Sequence, residues 1–262
     1  MSLAHTNLYF RIYVYFVTFV FGAVMGSFLN CMAYRICHNM SIVKGRSKCG
    51  VCNHTLGVRD LIPIFGYILN KGKCRYCGAK LSVRYLISEI VGGLSFVLVV
   101  HKYGLTIETI MYLILISLML CASFADLEDY LIPDRLIVFG LINRLVFILI
   151  GNNIKNELIS SLIGGLCISV PILILSIVMS KILKRDAMGG GDIKLFFMLG
   201  TYFSVSQNIF SVLLACIIGI VFSVITKKTK DEFSFGPSIC LAYFLTIMIG
   251  TGIINWYLNL FM

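Results

Sequence analysis

The chain has 262 residues, of which 59% are apolar and 13% are charged, and its mean hydropathy is +0.94. This balance excludes a soluble globular enzyme and predicts a polytopic membrane protein with an all-α fold. A span needs roughly 20 apolar residues to cross a hydrocarbon core of about 30 Å. The first apolar run has no convincing small-residue cleavage site, so we interpret it as a span and not as a signal peptide.

The apolar runs predict about eight transmembrane helices. In chain order the predicted spans are 8–33, 85–100, 105–125, 136–150, 158–183, 193–203, 209–225 and 237–258. Pro171 predicts a kink in the fifth span. The sixth run is short for a span, so we expect it to begin inside the membrane or to tilt little.

A polar insert, residues 35–84, separates the first span, within residues 1–34, from a membrane-embedded domain at residues 85–262. The insert carries two Cys-x-x-Cys pairs with 21 residues between them, formed by Cys49, Cys52, Cys74 and Cys77. This spacing predicts tetrahedral zinc, with iron as the competing soft-ligand metal and disulfides as the weaker alternative in a reducing cytoplasm. Four thiolates fill the coordination shell, so we expect the zinc to be structural.

The basic residues predict the orientation of the spans. Of the 22 Lys and Arg residues, ten lie in the insert, and further groups are Lys181, Lys184 and Arg185, and Lys227, Lys228 and Lys230. The positive-inside rule places these loops in the cytoplasm and both termini outside. The net charge of +10 then reflects orientation and anionic lipid, so no nucleic-acid partner is predicted.

Two carboxylates are predicted on the same cytoplasmic side. Asp126 follows the third span, and Asp192 precedes the sixth. Two carboxylates that meet in a site of low polarity cannot both ionise easily and share a proton, so that one acts as a base toward water while the other polarises a carbonyl. This is the chemistry of aspartic peptide hydrolysis. Glu128 and Asp129 are interpreted as solvated members of an acidic loop.

The second carboxylate follows a triple glycine, Gly189-Gly190-Gly191, and precedes Lys194. Glycines accept positive φ and have no Cβ, so we expect this loop to turn sharply and to let an extended peptide approach closely. The alternative is a flexible turn in which Asp192 is only a helix N-cap.

Several motifs in a fixed order resemble type IV prepilin peptidases, the GxGD class of membrane aspartic proteases. Beside the two cysteine pairs, the matching stretches are Gly26-Ser27-Phe28-Leu29-Asn30 with Tyr34-Arg35, Arg59-Asp60-Leu61-Ile62-Pro63, Arg84-Tyr85 with Glu89, Asp126-Leu127 with Leu131-Ile132-Pro133-Asp134, Gly189 to Lys194, and Phe235-Gly236-Pro237. The chain departs from the family pattern at residues 35–42 and 44–47, which lack two prolines. That departure bears on details of substrate or methyl transfer and leaves the carboxylates untouched.

The resemblance implies an enzyme of the bacterial plasma (inner) membrane that removes the short basic leader from prepilins or pseudopilins at the cytoplasmic face. It implies that Asp126 and Asp192 are catalytic, that the four insert cysteines bind metal, and that Gly189, Gly190, Gly191 and Lys194 form an active-site loop. Many members also N-methylate the new amino terminus with S-adenosylmethionine. The sequence has no Gly-x-Gly-x-x-Gly opening a β-α unit, so a cofactor site would be built from the insert and helix ends.

Two other classes of protein remain as alternatives. A transporter would use acids within the membrane and glycine-broken helices to line a path, but the sequence shows no inverted repeat and both aspartates lie at the membrane edge. A zinc-bearing membrane adaptor would retain its function after loss of either aspartate, whereas a protease would not.

Overall fold

The computed structural model describes residues 7–42, 45–184, 188–226 and 234–260, and in these ranges it contains helices, loops and two isolated β-bridges but no strand. The all-α fold class is therefore confirmed. The predicted basic residues Lys44, Arg185, Lys227, Lys228 and Lys230 lie outside the described ranges. The helices are α1 (Leu8–Cys37), α2 (Phe65–Leu69), α3 (Val83–Tyr103), α4 (Ile107–Asp129), α5 (Asp134–Ile150), α6 (Ile154–Leu183), α7 (Gly190–Gly200), α8 (Val205–Thr226), α9 (Gly236–Leu245) and α10 (Thr251–Leu258).

Six helical segments in the described part of the chain are long and apolar enough to cross a membrane: α1, α3, α4, α6, α8 and the continuous stretch Gly236–Leu258, in which a π turn joins α9 to α10. Helix α5 has 17 residues and α7 has 11. At about 1.5 Å per residue these two fall short of a hydrocarbon core of about 30 Å. The count of eight spans stays a prediction.

Helix α4 extends further than the sequence predicts. The polar run from Asp126 was expected to be a loop, but Asp126 to Asp129 form the last turn of α4. That expectation is wrong because the helix continues through Leu127, and the chain leaves it only at Tyr130, whose φ of 54° is left-handed. Pro171 lies inside α6, which runs unbroken from Ile154 to Leu183; the kink there stays a prediction.

The chain forms two compact units, Met1–Phe124 and Ala125–Met262. In the first unit α1 and α3 pack closely because glycines face each other across the helix pair. A Cβ at Gly22 would lie 2.6 Å from the Gly92 carbonyl oxygen, and a Cβ at Gly26 would meet the backbone of Ser88. Small residues let two membrane helices approach until their backbones touch, so this pair holds together the helices at both ends of the polar insert.

In the second unit the short helix α7 is fixed by the fully buried side chain of Asn208 on α8. Its Nδ2 donates to the carbonyl oxygens of Gly200 and Phe203, at the end of α7 and just past it, and to that of Gly164 on α6, each at 3.1 Å. Its Oδ1 accepts from the Tyr243 hydroxyl at 2.9 Å. Carbonyls at a helix end lack partners within the helix, and this one amide supplies them where water is excluded.

Candidate active site

Asp126 lies in the last turn of α4, where it is 5% exposed. Its Oδ2 accepts two hydrogen bonds, one from the Ser234 hydroxyl at 2.6 Å and one from the Gly236 backbone N–H at 2.8 Å. Gly236 is the first residue of α9, where the first N–H groups have no partner inside the helix, and Ser234 lies two residues before it. Hydrogen bonds to an ionised carboxylate are short and strong, so these two fix the orientation of the carboxylate.

Only glycine fits at position 236. A Cβ built there would lie 2.8 Å from Asp126 Oδ2 and 3.0 Å from its carboxyl carbon. In the sequence, Phe235-Gly236-Pro237 stands out only as a family motif, and Ser234 and Gly236 were not predicted as partners of Asp126. A signal for Gly236 exists in the sequence, because a glycine before Pro237 marks an accessible N–H at a helix start. Nothing local points to Ser234.

Asp192 is the third residue of α7, and Gly189 is the N-cap. The alternative that Asp192 merely caps the helix is therefore wrong. Helix α7 is outside the six spanning segments, and Asp192 lies in its first turn, half-buried. Burial raises the pKa of Asp192 to about 7, and the negative charge of Asp126 acts in the same direction. The two predicted carboxylates are thus near enough for the charge of Asp126 to act on Asp192.

The backbone of Gly189–Gly191 does not form the sharp left-handed turn that the sequence predicted. Gly189 has φ −62°, and Gly190 and Gly191 are the first two residues of α7, so the expected left-handed turn is wrong. The helix simply begins earlier than expected. Space remains as a reason for glycine, because a Cβ at Gly191 would lie 3.2 Å from the Cβ of Ile132, whereas a Cβ at Gly190 would meet nothing within 4 Å.

Lys194 faces a different partner from the aspartate pair. Its Nζ donates to Asp134 Oδ1 at 2.7 Å, which links α7 to the start of α5. Both side chains are more than half exposed, and exposed ion pairs contribute about 1 kcal/mol or less. The role of Lys194 in an active-site loop stays a prediction. Asp129 is exposed and Glu128 is partly buried; their interpretation as solvated side chains stays a prediction.

The four insert cysteines come together as a candidate metal centre. The sulfur atoms of Cys49, Cys52, Cys74 and Cys77 all lie within 4.8 Å of one another. Cys49 Sγ and Cys77 Sγ are 3.8 Å apart, which matches the edge of a tetrahedron with Zn–S distances of about 2.3 Å. A disulfide would need about 2.05 Å. The residues therefore fit a zinc site with four cysteine ligands, as the spacing predicted.

The two cysteine pairs sit in loops with the same backbone geometry. Each loop is closed by an isolated β-bridge, Lys48 with Thr55 and Lys73 with Lys80. The Cys49 N–H donates to the His54 carbonyl at 2.9 Å, and the Cys74 N–H donates to the Ala79 carbonyl at 2.7 Å.

The same geometry sets the protonation of the first ligand. Backbone N–H groups of Cys52 and Val51 lower the pKa of the Cys49 thiol to about 6. The thiolate that a metal requires is thereby favoured at Cys49, whereas desolvation and hydrogen bonds with the neighbouring thiols raise the pKa of Cys77 to about 11.

Comparisons with known proteins identify the family of the chain. The family model "Bacterial Peptidase A24 N-terminal domain" matches residues 20–103, and "Type IV leader peptidase family" matches residues 113–224. Three relatives carry the name "Prepilin leader peptidase/N-methyltransferase". The protein of Bacillus subtilis is 30% identical over 93% of this chain and 98% of its own length. That of Myxococcus xanthus is 31% identical over 82% and 67%, and that of Neisseria gonorrhoeae is 26% identical over 92% and 93%. No solved structure matches.

The two family models together cover most of the chain, and they include both candidate carboxylates and all four candidate metal ligands. The Bacillus subtilis relative aligns over nearly the whole of both proteins. The chain belongs to the type IV leader peptidase family.

Proposed function

We propose that the chain is an aspartic endopeptidase that removes the basic leader from type IV prepilins or pseudopilins, with Asp126 and Asp192 as its catalytic pair. The observation that carries the proposal is the placement of these two carboxylates at the ends of different helices: Asp126 is buried and doubly hydrogen-bonded in the last turn of α4, and Asp192 lies in the first turn of α7, where the charge of Asp126 helps to raise its pKa. Family membership supports the reaction class. The carboxylate pair also disfavours the transporter and the adaptor, since neither needs two acids placed in this way.

The geometry gives the two carboxylates different tasks. Asp126 is held by two donors at Oδ2 and acts as the general base toward a water molecule. Asp192, whose pKa is raised to about 7, carries the proton and donates it to the carbonyl oxygen of the scissile bond. The water oxygen attacks the carbonyl carbon while its proton passes to Asp126. That proton then moves to the leaving nitrogen as the C–N bond breaks, while a hydroxyl of the tetrahedral intermediate returns its proton to Asp192. A carboxylic acid and an amine are released, and both aspartates regain their starting state.

The charge pattern of the chain supports a cytoplasmic site. A prepilin has a cationic leader followed by an apolar helix, and the leader stays in the cytoplasm by the same rule that orients the basic loops of this chain. Its scissile bond then waits at the cytoplasmic edge of the membrane. A peptide bond inside a hydrogen-bonded helix is shielded, so the leader must be extended locally where it meets the Gly189–Gly191 segment.

The proposal includes N-methylation of the new amino terminus with S-adenosylmethionine. The support is the name shared by the relatives, which includes "N-methyltransferase". The described part of the chain has no strand, so a cofactor would be held by loops and helix ends and not by a Rossmann cradle. In the insert, zinc bound by four thiolates would have no open position for water and would stabilise the fold only.

The catalytic pair is tested by isosteric amides. Asp126→Asn or Asp192→Asn should lower leader cleavage by about 100-fold or more, because the amide cannot exchange the proton. Glu128→Gln is the matched control on the same turn of α4 and should remain active. The measurement is cleavage of a prepilin in vesicles by each variant at equal abundance. Substantial cleavage by either asparagine variant would remove the pair from the mechanism.

The pH dependence of cleavage follows from Asp192. Its protonated form is needed and is lost as the pH rises through its pKa of about 7. Two units above this pKa only about 1% of the group keeps its proton, so cleavage should fall steeply between about pH 7 and about pH 9. The measurement is kcat/KM against pH, with the unfolding temperature recorded at each pH. A flat profile up to about pH 9 would contradict the assignment of Asp192 as the acid.

Three alanine variants separate catalytic geometry from loop flexibility. Gly236→Ala should abolish cleavage, since its methyl group would lie 2.8 Å from Asp126 Oδ2, and Gly191→Ala should reduce it through contact with Ile132. Gly190→Ala meets no protein atom within 4 Å, so it should lower turnover at unchanged stability only if substrate occupies that space. A normal rate for Gly190→Ala would show that the peptide does not lie there.

Zinc is expected at one ion per chain. Metal analysis of Cys49→Ser/Cys74→Ser should show its loss together with a lower unfolding temperature, because metal binding and folding of such a site are coupled. Cys216→Ser serves as control, since Cys216 is an exposed cysteine on α8 outside the cluster. Stoichiometric zinc in the double variant would place the metal elsewhere.

A further inference from the structure

The polar insert contains one strongly apolar stretch that the zinc site leaves unexplained. Residues 61–69 read Leu-Ile-Pro-Ile-Phe-Gly-Tyr-Ile-Leu, with no charged residue. Six large apolar side chains in this region point to solvent; they are Val58, Leu61, Ile62, Phe65, Ile68 and Leu69, with exposed fractions from 44% to 78%. We name these six residues the apolar stripe. The stripe is not one helical face, because a 3₁₀ turn (Val58–Leu61) and α2 are separated by a turn in which Ile64 has φ 65°.

The backbone under the stripe is well fixed, so its exposure does not arise from a loose loop. Asp60 Oδ2 accepts from the Gly57 N–H at 3.0 Å and from the Tyr76 hydroxyl at 3.4 Å. Asn70 Nδ2 donates to the Gly66 carbonyl at 2.9 Å. A Cβ at Gly66 would lie 2.6 Å from the Asp60 carbonyl oxygen. The chain is thus folded tightly on itself on the side away from the apolar side chains.

A buried carboxylate attaches this segment to a membrane helix. The Ile64 N–H donates to Glu89 Oε2 at 2.6 Å, and Glu89 is 8% exposed on α3. Glu89 lies in the second turn of α3, which begins at Val83, and is therefore about 9 Å along the helix axis from that start. The apolar stripe therefore lies beside the first two turns of a helix that is long and apolar enough to cross a membrane.

The positive charge of the insert indicates what kind of surface covers the apolar stripe. The insert carries ten Lys and Arg residues against one acidic residue, Asp60, and Asp60 is engaged within the fold. Arg59, Lys71 and Lys73, which flank the stripe, are exposed. An apolar face bordered by basic residues is the pattern of segments that lie in the interface of an anionic bilayer. A soluble protein partner could reach this apolar face only by competing with the membrane surface beside it.

We propose that the apolar stripe is a monotopic membrane contact, which inserts into the interface of the anionic bilayer and holds the zinc-binding insert flat against the membrane. Both ends of the insert continue into membrane helices, α1 and α3, so the insert cannot leave the surface. The apolar stripe determines which side of the insert faces lipid.

The experiment uses the full chain in nanodiscs with tryptophan as the probe. The only native tryptophan, Trp256, is removed by Trp256→Phe. Phe65→Trp and Leu69→Trp then report on the stripe, and Val51→Trp is the control. Val51 is exposed to the same degree as Leu69, 72% against 75%, but lies in the first cysteine loop. Zinc content shows that each variant retains the insert fold.

In nanodiscs of anionic lipid brominated on its acyl chains, Phe65→Trp and Leu69→Trp should lose most of their emission and resist aqueous acrylamide. Val51→Trp should show the reverse. Quenching of the stripe should also be weaker in zwitterionic lipid, and equal quenching in both lipids would overturn the role given to charge. Acrylamide quenching equal to that of Val51→Trp would overturn the membrane contact. Protection from both quenchers would also overturn it, because protein and not lipid would then cover the stripe.

Discussion

The buried amide of Asn208 is the interaction on which the second unit depends. In a medium without water, each unpaired carbonyl is costly, and a helix of 11 residues ends where no water reaches it. Asn208 pairs the carbonyls at that end with one from α6 and is itself fixed by Tyr243 of α9. The far end of α7 is thus anchored, and its length then sets the position of Asp192 at the near end. A short rigid helix is a better support for a proton donor than a loop.

The candidate site is built where three helices end. Asp126 closes α4, Asp192 opens α7, and the Gly236 N–H opens α9. Helix ends are the places where a membrane protein has unpaired backbone groups that can bond a side chain, and they lie near the polar edge of the bilayer. Under the proposed function, the same geometry that brings a donor to Asp126 would also bring the pair within reach of a substrate leader.

Much of this arrangement follows from local sequence. Composition predicts the all-α membrane fold, and the cysteine spacing predicts the four-cysteine cluster, because ligands within one loop depend on local geometry. The partners of Asp126 could not be found in this way, since Ser234 is 108 residues distant and no periodicity records that contact. The conformation of Gly189–Gly191 was predicted wrongly because glycine allows several backbone conformations. Tertiary packing selected an early start of α7 and not a left-handed turn.

The repeated cysteine loops have a consequence for chain entropy. A metal held by Cys49, Cys52, Cys74 and Cys77 would tie together two points of the backbone and close a ring around the 21 residues between the pairs. A link that persisted on unfolding would lower the entropy of the unfolded chain by an amount equivalent to about 3 kcal/mol; a metal that leaves on unfolding contributes its binding free energy to the stability of the folded insert instead. The ring contains every residue from Val58 to Leu69. Bound zinc would then hold the apolar stripe in one exposed conformation. Without the metal, a chain of the same composition would bury these side chains elsewhere or aggregate through them.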